Sequence, residues 1–126
     1  MRYKDFTEFP VWKKGFELLL LTYEATKKFP SEEKFGLISD TRRSANSIVH
    51  NVAEGFGRYE SRDKSRFYKI SRGSAYELLS QALVGAALRY MEQDTCDNIT
   101  GKCRVIIDEL NSIIKAVEHP EAQPQS

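Results

Sequence analysis

The last quarter of the chain constrains the fold most. Ile99, Cys103, Ile106, Leu110, Ile113 and Val117 follow one another at spacings of 4, 3, 4, 3 and 4. That rhythm is an a/d seam over nearly three heptads and belongs to a helix laid against other helices. Ile107 and Ile114 widen the stripe. No stretch alternates convincingly with period two, and no Asn-Gly or Asp-Gly hairpin turn occurs, so strands are not expected. An apolar stripe of this kind must be buried against partners, and one chain of 126 residues has room for a single core.

Punctuation divides the remainder into three more helices. Pro10 suits a first helical turn, and the segment runs to about residue 28 before "FPSEE". Ser31 is expected to cap a second helix, with Glu32 and Glu33 at its positive end, although Gly36 delays regular helix to about Phe35 or Leu37. Gly55 and Gly57 stop it. Ser61 is expected to cap a third helix reaching Met91, and the fourth starts near Asp94 or Thr95 and ends before Pro120. The reading is all-α: an antiparallel up-down-up-down four-helix bundle over 10–118, with helices at about 10–28, 33–56, 61–91 and 95–118. Residues 1–9 form a lead-in. The tail 119–126, "HPEAQPQS", has little apolar content and is expected to be disordered.

Helix one carries more apolar surface than one face of such a bundle can hide. Leu18 to Leu21 make its middle apolar almost all round. A helix of this kind is buried on more than one side, which in a small bundle points to a second subunit. Helix three is rich in small residues, among them Ser71, Ser74, Ala75, Ala82, Gly85 and Ala86, which let a neighbouring helix approach closely.

Catalytic constellations are thin. His50 and His119 are the two histidines, and neither has a Cys, Asp or Glu at a convincing metal-ligand spacing. Glu-x-x-His pairs, which a di-iron bundle needs, are lacking. Cys96 and Cys103 would sit about 10 Å apart along a helix, too far for a disulfide. They read as reduced thiols without a zinc-site pattern. The Gly-Phe-Gly-Arg run at 55–58 follows a helix rather than a strand and lacks a trailing Gly-Lys-Ser/Thr, so it is no phosphate loop. We therefore expect no enzyme activity, cofactor or metal. The first ten residues hold no long apolar run and no segment is long enough to span a bilayer, so the expectation is a cytoplasmic protein without a membrane partner.

Two polar features remain. In "RRSANSIVHNVAEGFGR" (42–58), Ala45, Ile48, Val52 and Phe56 form a core stripe, while Arg43, Ser47, Asn51, Glu54 and Arg58 form another roughly opposite. The second stripe is either a solvated face or a polar seam that fixes register, with Ser74 and Glu77 of helix three as counterparts and Glu77 as acceptor for Arg42 or Arg43. The second feature is charge. Net charge is +1, yet residues 42–72 hold eight basic side chains against three acidic, while 73–126 hold four against eight. Arg58, Arg62, Lys64, Arg66, Lys69 and Arg72 cluster near the helix two–three turn, interleaved with Tyr59, Phe67 and Tyr68. Cations beside aromatics suit phosphate contact and base stacking. The same patch also suits an acidic protein partner, or mere solubility.

The runs "FTEFPVW", "FPSEEKFGL", "RRSANSIVHNVAEGFGR" and "FYKISRGSAYEL", in this order, resemble the 23S rRNA intervening-sequence proteins, also labelled the S23 ribosomal protein family. The resemblance spans residues 6 to about 117. One departure is "SDTRR", where the family more often has Gln and then Ile before the arginines. The resemblance implies a bacterial, cytoplasmic helical bundle that assembles as a ring-like homopentamer. It also implies similarity to accessory proteins of diversity-generating retroelements, which partner a reverse transcriptase and bind nucleic acid. Arg42, Arg43, Asn51, Glu54, Gly55, Arg58, Gly73, Ser74 and Glu77 match the family's recurrent polar and glycine positions. It supplies no catalytic residues. The combined expectation is a non-enzymatic oligomer that binds structured RNA or DNA, the rival being a protein–protein adaptor.

Light scattering at micromolar concentration should then give a mass several times the 14.5 kDa of one chain. A clean monomer contradicts the subunit argument made from helix one.

Overall fold

Four helices account for almost all of the computed structural model, which describes residues 3–122: α1 (Pro10–Thr26), α2 (Leu37–Gly57), α3 (Ser61–Ala87) and α4 (Gln93–Glu118). No strand occurs among the described residues. Short 3-10 turns at Phe6–Glu8, Ser31–Glu33 and Pro120–Ala122 precede or follow them.

Each boundary has a local cause. Asp5 accepts the Thr7 amide at 2.8 Å and shapes the turn that leads to Pro10. Ser31 does not cap α2. It opens a 3-10 turn, and α2 starts only after Gly36, where the Glu33 carboxylate accepts the Leu37 amide at 3.0 Å. Ser61 is likewise the first residue of α3, not its cap; Glu60 holds the cap position without a side-chain bond. α3 stops at Ala87, short of Met91, because Arg89 adopts a left-handed φ of 64° and turns the chain back. α4 begins at Gln93, slightly ahead of Asp94. Pro120–Ala122 is a 3-10 turn, so the start of the expected tail has local structure; residues 123–126 lie outside the described residues.

The core follows the seam. Ile99, Cys103, Ile106 and Leu110 of α4 are fully buried, and Ile113 and Val117 pack against the cluster at its edge. They meet Leu18 of α1, Ile48 and Val52 of α2 and Leu78 of α3, all at 0% exposure. Burying each such side chain contributes about 1.5–3 kcal/mol. α3 packs extensively on both α2 and α4, and α1 packs on α2 and α4 from the opposite corner. An ion pair between Lys14 and Glu109 ties α1 to α4. On its outer side α1 leaves Phe16 and Leu20 exposed, Leu20 at 53%.

α2 and α3 approach each other closely. The Ser71 hydroxyl of α3 donates to the Ile48 carbonyl of α2 at 2.8 Å, a buried bond between two helices. Further along, the Tyr68 ring lies across Gly55, so that a Cβ at 55 would stand 2.6 Å from the ring. Gly101 on α4 has nothing within 4 Å of such a Cβ. Gly55→Ala should therefore lower stability by about 1–3 kcal/mol through overpacking. Gly101→Ala should raise it by about 0.5–1 kcal/mol through helix propensity. Urea unfolding measures both; equal shifts of the two midpoints would refute the close-packing account of Gly55.

Candidate nucleic-acid interface

α2 and α3 are joined by three residues, Arg58 to Glu60, in extended conformation at either end. So tight a connection brings the first turns of α3 back over the end of α2. Lys64 reaches across and donates to the carbonyls of Gly55 (3.1 Å) and Phe56 (2.9 Å). These are among the last carbonyls of α2 and carry the negative end of its dipole; that of Gly55 also accepts the Arg58 amide at 3.2 Å. Burial pulls the Lys64 ammonium pKa down from its ordinary value.

The six cations expected to form one patch separate into two groups. Lys64 caps α2. Lys69 pairs with Glu118 at 2.6 Å, and Ser65 donates to the same carboxylate. The hydrogen bonds from Lys69 and Ser65 hold the Glu118 pKa below the usual range. Arg72 donates to the Asn111 amide oxygen at 2.8 Å. These three bind the bundle together. Arg58, Arg62 and Arg66 remain at the surface. The guanidinium groups of Arg58 and Arg66 lie 4.7 Å and 4.5 Å from the centre of the same Phe67 ring, a cation–π arrangement with two cations on one aromatic. Arg58 also pairs with Glu54 at 2.9 Å. Arg62 and Arg66 have no carboxylate within ion-pair distance among the described residues. They stand one helical turn apart, where like charges repel.

The seam residues also separate. Arg43 pairs with Glu77 at 3.0 Å, the Ser74 hydroxyl donates to Ser47 at 2.7 Å, and the Asn51 amide donates to the Ser47 carbonyl and hydroxyl at 2.9 and 3.0 Å. This row joins α2 to α3 within one chain. Arg42 does not share it and does not reach Glu77. One helical step away, it stacks 4.5 Å from the Tyr23 ring and donates to Thr26 at 2.8 Å, joining α2 to α1. The row is half open to water, so the Arg43–Glu77 pair contributes at most about 1 kcal/mol.

Sequence reasoning missed the aromatic cluster contributed by the lead-in. Phe9 lies 5.2 Å from Phe56 and 5.6 Å from Tyr3, and Phe6 meets Trp12 at 5.1 Å. The density of aromatics in "YKDFTEFPVW" was the available signal. Beside this cluster lies an open cleft of about 560 Å³, walled by Lys4, Phe6, Phe56, Arg58, Tyr59 and Lys64. Tyr59 stands 93% exposed at its rim.

Other chemistries find little here. No group of three or more His, Cys, Asp or Glu side chains suited to a metal occurs among the described residues. Both cysteines are buried; burial pushes the Cys103 thiol up to about 12 and raises that of Cys96. Such thiols stay protonated at neutral pH and are poor nucleophiles. Among the described residues no helix is long and apolar enough to cross a membrane. A sequence model of the 23S rRNA-intervening sequence protein family matches residues 7–112. No curated protein matches the chain.

Proposed function

Because the chain belongs to the 23S rRNA-intervening sequence protein family, we propose that it is a non-enzymatic cytoplasmic protein that binds structured RNA or DNA through the α2–α3 end of its bundle. The observation that carries this reading is the pair of exposed arginines, Arg58 and Arg66, on the Phe67 ring, with a third exposed arginine, Arg62, one helical turn before Arg66. Like charges gathered at one helix end, with Arg62 and Arg66 lacking a carboxylate partner among the described residues, are stabilised by a polyanion. Arg72, Lys69 and Lys64 support the site by fixing the helices that carry it.

The bundle is read as antiparallel throughout. For α2 and α3 the support is the descending order of partners, Arg43 with Glu77, Ser47 with Ser74 and Ile48 with Ser71. Assembly of several copies into a ring, with five as the family resemblance implies, is the reading for the quaternary state. It is supported by apolar side chains left exposed at diagonal corners, Phe16 and Leu20 on α1 and Tyr76, Leu83 and Val84 on α3. Repeating the arginine trio around a ring multiplies phosphate contacts. The same α3 face favours a second reading, an adaptor or accessory subunit for a protein such as a reverse transcriptase. A partner retained in a pull-down after nuclease treatment would favour that reading.

Fluorescence anisotropy with a structured RNA across a salt series tests the nucleic-acid reading. Affinity should fall steeply with salt. Arg62→Glu/Arg66→Glu should weaken binding by tenfold or more, as two lost phosphate contacts lower the salt slope by about 2. No binding at low salt, or binding indifferent to salt and to both charge reversals, would overturn it.

A further inference from the structure

The cleft beside the arginine trio is not needed by the fold. Its outer wall, Tyr59, is 93% exposed and has no hydrogen bond or ring partner among the described residues. Its floor includes Gly57, where an added Cβ would meet nothing within 4 Å. Gly57 therefore stands open by space, and its φ is not positive, so backbone geometry does not demand glycine there. The remaining walls are the Phe6 and Phe56 rings and Ala53, with Lys4, Arg58 and Lys64 at the margins beside one carboxylate, Asp5, which accepts the Thr7 amide. A concave slot walled by aromatic rings, with Lys4 at its edge and the arginines beside it, complements a flat aromatic group carried on an anionic chain. Its volume of about 560 Å³ falls in the ordinary range for small-ligand sites.

We propose that this cleft takes one unpaired nucleobase, stacked against Tyr59, from a strand whose phosphates lie on Arg58, Arg62 and Arg66. The inference rests on the nucleic-acid reading and narrows it: the ligand is single-stranded RNA or DNA, or a loop or bulge in a folded RNA. Bases in a duplex are already stacked on one another and offer no face to the cleft. Phosphates of a duplex can still reach the arginines, so the charge patch alone does not discriminate. Stacking is tolerant of base identity, so little sequence preference accompanies it.

The test uses the full chain with two probes, a labelled oligouridylate of about 12 nucleotides and an RNA duplex of the same length. Tyr59→Ala removes the stacking wall, and Gly57→Leu fills the cleft. Both should weaken binding of the oligouridylate by about tenfold and leave duplex binding within twofold of the unaltered protein. Arg62→Glu/Arg66→Glu should weaken both probes. Thermal unfolding followed by circular dichroism confirms that the variants are folded; should Gly57→Leu fail this check, Tyr59→Ala carries the test alone. Unchanged oligouridylate binding by folded Tyr59→Ala, or equal losses on both probes, overturns the base-stacking cleft and leaves the phosphate-binding patch standing. Absence of binding to either probe by the unaltered protein at low salt overturns the nucleic-acid reading and this inference with it.

Discussion

The close approach of α2 and α3 governs the rest of the molecule. Two helices come within hydrogen-bonding reach of each other's backbone where side chains between them are small, and here Ser74 meets Ser47, Ser71 reaches the Ile48 carbonyl, and Gly55 leaves room for the Tyr68 ring. The Ser71–Ile48 bond satisfies a hydroxyl that would otherwise be buried without a partner, at a cost of about 1–3 kcal/mol. The Tyr68 ring packed against Gly55 then fixes how far α3 can slide along α2. With that register set, Lys64 falls over the last carbonyls of α2, and the connecting turn needs only three residues. Arg62 and Arg66, two residues either side of Lys64 and so on the opposite face of α3, are left exposed.

This division of labour among cations explains why net charge says so little. A chain at +1 overall concentrates eight basic side chains in 31 positions, 42–72. Several of those are consumed internally: Arg42 on Tyr23 and Thr26, Arg43 on Glu77, Lys64 on carbonyls, Lys69 on Glu118, Arg72 on Asn111. Arg58 also pairs with Glu54, which leaves Arg62 and Arg66 without a carboxylate partner among the described residues, in the first turns of α3. Short screening distances of about 8 Å at physiological salt mean that such a cluster acts locally, whatever the charge of the far end.

The helices were legible in the sequence because their signals are periodic and local. The spacing of Ile99 through Leu110 and the apolar stripe of Ala45, Ile48 and Val52 translate directly into burial. Boundaries were less legible where geometry outside the helix decides them. Ser31 looks like a cap but lies in a 3-10 turn, because Glu33 reaches the α2 amides from the loop. The end of α3 depends on Arg89 adopting a left-handed conformation, which its side chain does not signal. The site was legible as composition and not as geometry. Adjacent residues on a helix are about 100° apart, so Arg42 and Arg43 serve different interfaces although they read as one dipeptide. Lys64 looked like a phosphate contact because its carbonyl partners lie on another helix. Residues 1–9 were set apart only as a lead-in because Tyr3 and Phe9 acquire meaning only beside Phe56.

The central claim is that binding occurs at the α2–α3 end, where the arginine trio and the cleft adjoin. Photo-crosslinking to a 4-thiouridine-labelled RNA, followed by peptide mapping, tests it most directly. The account predicts crosslinks within residues 56–67, at Tyr59 and Phe67 above all. Crosslinks confined to the outer faces of α1 or α3, around Leu20 or Leu83, would contradict it.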